Sequence, residues 1–170
     1  MKNVALAMLL ILMGLDQVPK VQLNQSVRVG GIEFTPISVQ VRRIMIKQPG
    51  WPGAKVNRSE EVYTVLEYKL VNVTEEQAID PGFVKGKMED QFGNSHRLVE
   101  NEDVCPGCII HEPTRPVELL PGESQKLVAV FQAPKIKKAE LFTIKLNFVI
   151  NNRGDMGEAW VLFQRSDFGL

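Results

Sequence analysis

The sequence predicts an all-β protein: an immunoglobulin-like antiparallel β-sandwich of about eight strands, preceded by a hydrophobic leader. Three observations carry this. From Leu141 to Ile150 the chain alternates, with Phe142, Ile144, Leu146, Phe148 and Ile150 apolar and Thr143, Lys145 and Asn147 polar between them. That is the period of a strand with one buried face. Val62, Thr64, Leu66, Tyr68 and Leu70 repeat the pattern on an earlier run, and turn pairs such as Pro81-Gly82 and Pro121-Gly122 punctuate the chain. No segment keeps a helical period over three turns.

The chain has 170 residues, enough for one domain with a full core and a leader. Lysine plus arginine and aspartate plus glutamate are 20 each, so the net charge is zero. No basic stripe is evident, which argues against nucleic acid as a partner. Residues 1–18 are assigned to a signal peptide or membrane anchor and residues 19–170 to the domain. Lys2 precedes the apolar run Val4 to Leu15, which Asp16 stops. The run is short for a membrane span, which needs about 20 residues, but suits the hydrophobic region of a secretory signal. No small-x-small cleavage site follows and no cysteine lies near residue 20, so residues 4–15 are also read as a retained membrane anchor. A buried apolar segment of a cytosolic protein is the competing reading.

The strands follow in order. Val21 to Val29 alternates loosely and Gly30-Gly31 turns it. Ile32 to Lys47 has Ile37, Val39 and Val41 at odd positions, then Ile44 and Ile46 at even ones. The change of parity predicts a β-bulge near Arg42-Arg43, or a strand passing from one sheet to another. Gln48 to Glu60 reads as a loop because its prolines and glycines suit no ladder. Glu61 to Val73 is a long strand. Phe83 to Asp90 and His96 to Val99 flank Phe92-Gly93-Asn94 as a hairpin, and Glu100 to Glu118 is a long polar loop. Gln125 to Phe131 and Leu141 to Ile150, separated at Pro134, are expected to pair with each other. Asn151 to Gly157 is a second hairpin turn, and Ala159 to Gln164 the last strand.

Several segments carry a resemblance. Val65-Leu-Glu-Tyr-Lys-Leu-Val-Asn-Val-Thr-Glu-Glu-Gln, Met88-Glu-Asp-Gln-Phe-Gly-Asn, Leu120-Pro-Gly-Glu-Ser and Val130-Phe-Gln-Ala-Pro-Lys resemble motifs of a family of exported bacterial immunoglobulin-like domains of unknown function. The mycobacterial immunoprotective extracellular protein belongs to that group. The likeness spans roughly residues 27 to 150 and consists of turns and strand ends. It implies an exported, non-enzymatic domain. The Gln48 to Glu60 loop and the cysteine loop depart from the shared pattern, so a private function is expected there.

Cys105-Pro-Gly-Cys108 holds both cysteines of the chain. The leading reading is a short-loop disulfide, since an even cysteine count suits an exported protein. A metal site would use Cys105, Cys108 and His111, with His96 as a distant fourth ligand, but the second ligand pair of a zinc site is missing. A redox pair needs a helix N-terminus or positive charge to lower its thiol pKa, whereas Glu100, Glu102 and Asp103 precede the motif. Covalent haem attachment needs histidine where Ile109 stands. Trp51, in Gln-Pro-Gly-Trp-Pro-Gly, is either a partner-binding anchor or a cap folded over the core. If the strands alternate up and down, Trp51 lies at one end of the sandwich, with the cysteine loop and the Arg153 turn together at the other. Arg153-Gly-Asp155 spells an adhesion tripeptide, but glycine and aspartate are ordinary turn formers. Asn24, Asn57 and Asn72 each begin an Asn-x-Ser/Thr sequon.

No nucleophile elbow, phosphate loop or facing acid pair marks an enzyme, and no cofactor is expected. The sequence therefore points to a non-enzymatic module of the cell envelope that binds a protein partner through loops or an open sheet edge. The alternatives are an envelope metal or thiol-redox protein built on the cysteine loop, and a structural subunit of an envelope assembly. Exported, periplasmic, extracellular or membrane-anchored locations all suit these readings.

Overall fold

The computed structural model describes residues 18–50, 53–75, 77–81, 85–134, 138–151 and 153–168. Most of the leader and Trp51 lie outside them. The described strands are β1 (Lys20–Val21), β2 (Val27–Val29), β3 (Ile32–Arg42), β4 (Met45–Gln48), β5 (Lys55–Arg58), β6 (Tyr63–Asn72), β7 (Lys85–Asp90), β8 (Ser95–Arg97), β9 (Ile109–Ile110), β10 (Ser124–Gln132), β11 (Leu141–Val149) and β12 (Met156–Gln164). One helical turn, α1 (Asn101–Val104), and a 3-10 turn, Arg165–Phe168, complete them. The all-β expectation holds. The strands beyond the expected eight are mostly short.

Two sheets form the sandwich. One has the order β1-β12-β11-β7-β8, the other β10-β6-β3-β2. Every pairing is antiparallel except β1 with β12. The alternating residues predicted on β11 face inward: Phe142, Ile144, Leu146 and Phe148 are all buried. They meet Phe34, Leu66, Tyr68 and Leu70 of the opposite sheet in one cluster. Phe34 packs on Tyr68 and Phe148 at 5.6 and 5.9 Å, and Phe142, Phe163 and Phe168 close one end of this core.

β10 and β11 do not pair with each other. β10 runs along β6, from Ser124 opposite Val71 to Gln132 opposite Tyr63, and β11 lies between β7 and β12. The connection through Pro134 and the buried Ala139 crosses from one sheet to the other. Alternation reports which face of a strand is buried and is silent about its neighbour.

The parity change in β3 is also placed differently. The register shifts between Pro36 and Ser38, so Ile37 is the irregular residue. Ile32, Phe34 and Pro36 before it and Val39 after it are buried. At Arg42 the strand ends, and β4 belongs to a small third sheet of order β5-β4-β9. The passage between sheets is thus the reading that holds at Arg42-Arg43.

The third sheet gives the molecule a second core. Ile44 and Ile46 from the β4 arm, Val99, Cys108 and Ile110 from the following loop, and Tyr63, Val65, Val128 and Val130 from β6 and β10 form one cluster. β6 and β10 are therefore buried on both faces where the third layer covers them. β6 begins at Tyr63, and Val62, expected on its inner face, is half exposed. Gln48 to Glu60, expected as a loop, contains β5, paired with β4 from Met45 opposite Arg58 to Gln48 opposite Lys55. The loop Glu100 to Glu118 likewise contains α1 and β9. Both hairpins predicted around Phe92-Gly93-Asn94 and Asn151–Gly157 are present.

Candidate functional site

The segment from Leu98 to Arg115, with the third sheet it completes, departs from a plain sandwich and brings the chemistry-bearing residues of the sequence closest together. Its start is fixed by α1, where the Glu100 N–H donates to the Asp103 carboxylate at 2.9 Å and Arg97 pairs with the same group. Cys105 ends this turn of helix. Gly107 follows with a positive φ of 71°, which a glycine adopts without strain. The Cys108 N–H then reaches back to the Cys105 carbonyl at 3.0 Å. The two sulfurs stand at bonding distance with their Cα atoms 5.3 Å apart, a separation that suits a disulfide. Cys108 is buried in the second core, and the Asn101 side chain accepts the Ile110 N–H at 2.8 Å.

The histidines do not join them. His96 sits on β8 opposite Met88, where burial lowers its pKa against the opposing charge of Asp90. His111 follows β9 and donates its N–H to the Met45 carbonyl. Among the described residues no group of three or more His, Cys, Asp or Glu is arranged to hold a metal ion. Cys105 lies at the C-terminal end of α1, not at the N-terminus that would favour a thiolate.

The corner between β3 and β4 is held by a pair that sequence reasoning missed, because its members are far apart in the chain. Arg42 grips Glu112 through two hydrogen bonds of 2.8 and 2.7 Å, and Glu112 also accepts the Met45 N–H at 3.0 Å. Burial alone would raise the Glu112 carboxyl, but these bonds and the Arg42 charge hold it below the ordinary carboxylate range. The hydrogen bonds that Arg42 donates to Glu112 in turn raise the Arg42 pKa. Ser59 completes the corner, accepting the Ile44 N–H at 3.1 Å and donating to the Glu61 carbonyl at 2.7 Å.

Two surfaces result. The first is a cleft of about 590 Å³ between the outer edge of β10 and the covering segment. Two backbone hydrogen bonds tie its walls together, Val99 N–H to the Val130 carbonyl and Val128 N–H to the Pro113 carbonyl. Glu100, Glu102, Glu112 and Arg115 line it with Val99, Ile110 and Val128, and Tyr68 reaches it from inside. The second is the outer face of the third sheet. Ile46 and Ile110 point inward to the second core, so Lys47 and its cross-strand partners Val56 and Ile109 point outward, as do Met45 and its partner Arg58. Met45, Val56 and Ile109 are 37%, 43% and 52% exposed. The outer face of the β11 sheet is different, because its groups satisfy each other. There Glu89 pairs with Lys87 and Lys145, Lys145 lies over the Trp160 ring, and Trp160 donates to Glu158.

The remaining sequence candidates fall elsewhere. Trp51 lies outside the described residues. Pro49 approaches the cysteine turn, since a Cβ at Gly107 would stand 3.3 Å from its Cγ. The expected position of Trp51 at the opposite end of the sandwich concerns a residue outside the described ones. The Arg153 turn is the feature at the far end. Ile150 beside it packs near Gly30 and Gly31, at the Asn72 end of β6, whereas the cysteine loop covers the Tyr63 end. Asp155 of the tripeptide is held within its own turn by the Asn151 amide at 2.7 Å. Asn72 is fully buried, donating to the Gln77 and Leu119 carbonyls and accepting from Thr74, so this sequon is a structural clasp.

No protein-family model and no curated protein sequence matches the chain. Solved structures do. The yjhA protein from Bacillus subtilis aligns with a TM-score of 0.53 and 14% identity, over 82% of this chain and 98% of that one. An uncharacterised β-sandwich protein from Clostridium difficile 630 aligns with a TM-score of 0.54 and 13% identity, over 87% of this chain and 95% of that one. At such identity the likeness carries the fold alone: this chain has the β-sandwich fold of these bacterial proteins.

Proposed function

We propose that this chain is a non-catalytic, exported β-sandwich module of the cell envelope, a member of the exported immunoglobulin-like group that its sequence resembles, and that it binds an acidic protein partner. The observation that carries this reading is the outer face of the third sheet. Met45, Val56 and Ile109 leave apolar surface in water there, set in register with Lys47 and Arg58. Scattered exposed apolar residues are ordinary, but a cluster rimmed by one sign of charge suits an interface. A disulfide between Cys105 and Cys108 would suit an oxidising compartment and would brace the turn beside this face. Residues 4–15 serve export or anchoring in this reading. Among the described residues no helix is long and apolar enough to cross a membrane.

Site-specific photocrosslinking in the source cell tests the proposal. A crosslinker at Val56 or Ile109 is expected to give one discrete protein adduct, which Lys47→Glu with Arg58→Glu abolishes. A crosslinker at Leu141, exposed on the other sheet, is expected to give none. Equal adducts from both positions, or adducts indifferent to the charge reversal, would remove the third sheet as the binding face.

A further inference from the structure

The cleft beside β10 ends on a group that the fold leaves unsatisfied. Tyr68 is 1% exposed, and its hydroxyl is buried without a hydrogen-bond partner among the described residues. Its backbone lies between Pro36 of β3 and Leu127 of β10, so a cleft outside β10 meets Tyr68 through its side chain. Ala129, the smallest of the buried residues on the inner side of β10, leaves that passage open. A buried donor without an acceptor is costly, and native folds leave few of them. Burial raises the phenol pKa, so the hydroxyl stays protonated at neutral pH and has a hydrogen to offer.

We infer that this cleft binds a small, neutral, largely apolar molecule with a terminal carbonyl oxygen, which accepts a hydrogen bond from Tyr68 while its body lies against Val99, Ile110, Val128 and Val130. The volume, about 590 Å³, is ample for such a ligand. The charges select against an anion. Glu100 and Glu102 stand at the lining, Glu112 is already engaged by Arg42, and Arg115 is the cation among the lining residues. A carboxylate would add its charge to a lining in which three acids face one cation, Arg115, and charge left unpaired beside the apolar side chains is strongly disfavoured. This site is separate from the outer face of the third sheet, so it stands or falls independently of partner binding there.

The test is a methyl-resolved NMR titration of the full chain with 2-octanone, using octanoate as the charged counterpart. Saturable shifts of the Val99, Ile110, Val128 and Val130 methyls are expected with the ketone, and binding at least about tenfold weaker with octanoate. Tyr68→Phe is expected to weaken the ketone about tenfold, while leaving the Tm of the free protein unchanged or raised, because it deletes an unsatisfied donor. The inference is overturned by no saturable shift up to the solubility of 2-octanone, by octanoate binding as tightly, or by equal binding to wild type and Tyr68→Phe. A lower Tm for ligand-free Tyr68→Phe would equally overturn it, since the hydroxyl would then already have a partner within the fold.

Discussion

His96 shows how the fold sets the state of one side chain. It is buried on β8 opposite Met88, and its Nε2 has no hydrogen-bond partner among the described residues. Burial lowers its pKa, and the nearby Asp90 charge opposes that shift without reversing it. Asp90 keeps its charge despite burial, because the Asn94 side chain and the Asn94 and Phe92 N–H groups bind it. As pH falls, the unfolded chain therefore takes up a proton at His96 near pH 6.5 while the folded chain still resists. The stability that neutral His96 contributes is complete above that pH and is lost as pH falls through the lower folded value. Urea unfolding followed from pH 8 to pH 5 is expected to show a decline beginning near pH 6.5. His96→Asn should flatten that window, whereas equal slopes in both proteins would mean that His96 titrates alike in both states. None of this was legible in the sequence, where His96 appeared only as a distant metal ligand. Its burial depends on which face of a short hairpin strand turns inward.

Among the elements, β6 explains both the success and the limits of the sequence reading. Its Leu66, Tyr68 and Leu70 alternate as a buried face should, and the sandwich assignment follows from that. The same strand buries Tyr63 and Val65 on its other face, and no local pattern announces the third layer that covers them. β5 was missed because all four of its residues, Lys-Val-Asn-Arg, are exposed and offer no apolar period. The closeness of Cys105 and Cys108 was legible, since two intervening residues including a glycine bring them together. That spacing is common to a disulfide, a metal site and a redox pair, and the structure adds the bonding distance between the sulfurs. At its far end β6 is closed by Asn72, whose amide serves two carbonyls and whose oxygen serves Thr74. Asn72→Ala removes these bonds inside the protein and leaves the Leu119 carbonyl with the Ile79 N–H as its remaining donor. A loss of about 2–3 kcal/mol is expected from denaturant unfolding. A change under about 0.5 kcal/mol would mean that the clasp adds nothing to the backbone ladder.

At the scale of the whole molecule, two cores share two strands. The larger lies between the sheets. The smaller lies outside β6 and β10 and is closed by the third sheet, the cysteine turn and the Arg42–Glu112 pair. Opening the smaller core would expose Ile44, Ile46 and Ile110 while leaving the sandwich between its sheets intact. The reverse cannot happen, because β6 and β10 form the floor of the smaller core. The unequal dependence predicts two levels of stability, since regions with fewer buried contacts open at lower free energy. Native-state hydrogen exchange is expected to show the amides of β4 and β9 exchanging through a sub-global opening, well below the free energy that protects Leu66 of β6 and Ile144 of β11. Arg42→Ala should lower protection in β4 and β9 and leave β11 unchanged, because it leaves Glu112 without its cation at the corner between the layers. Common protection across β4, β6, β9 and β11, falling together in the variant, would instead make the third layer one cooperative unit with the sandwich.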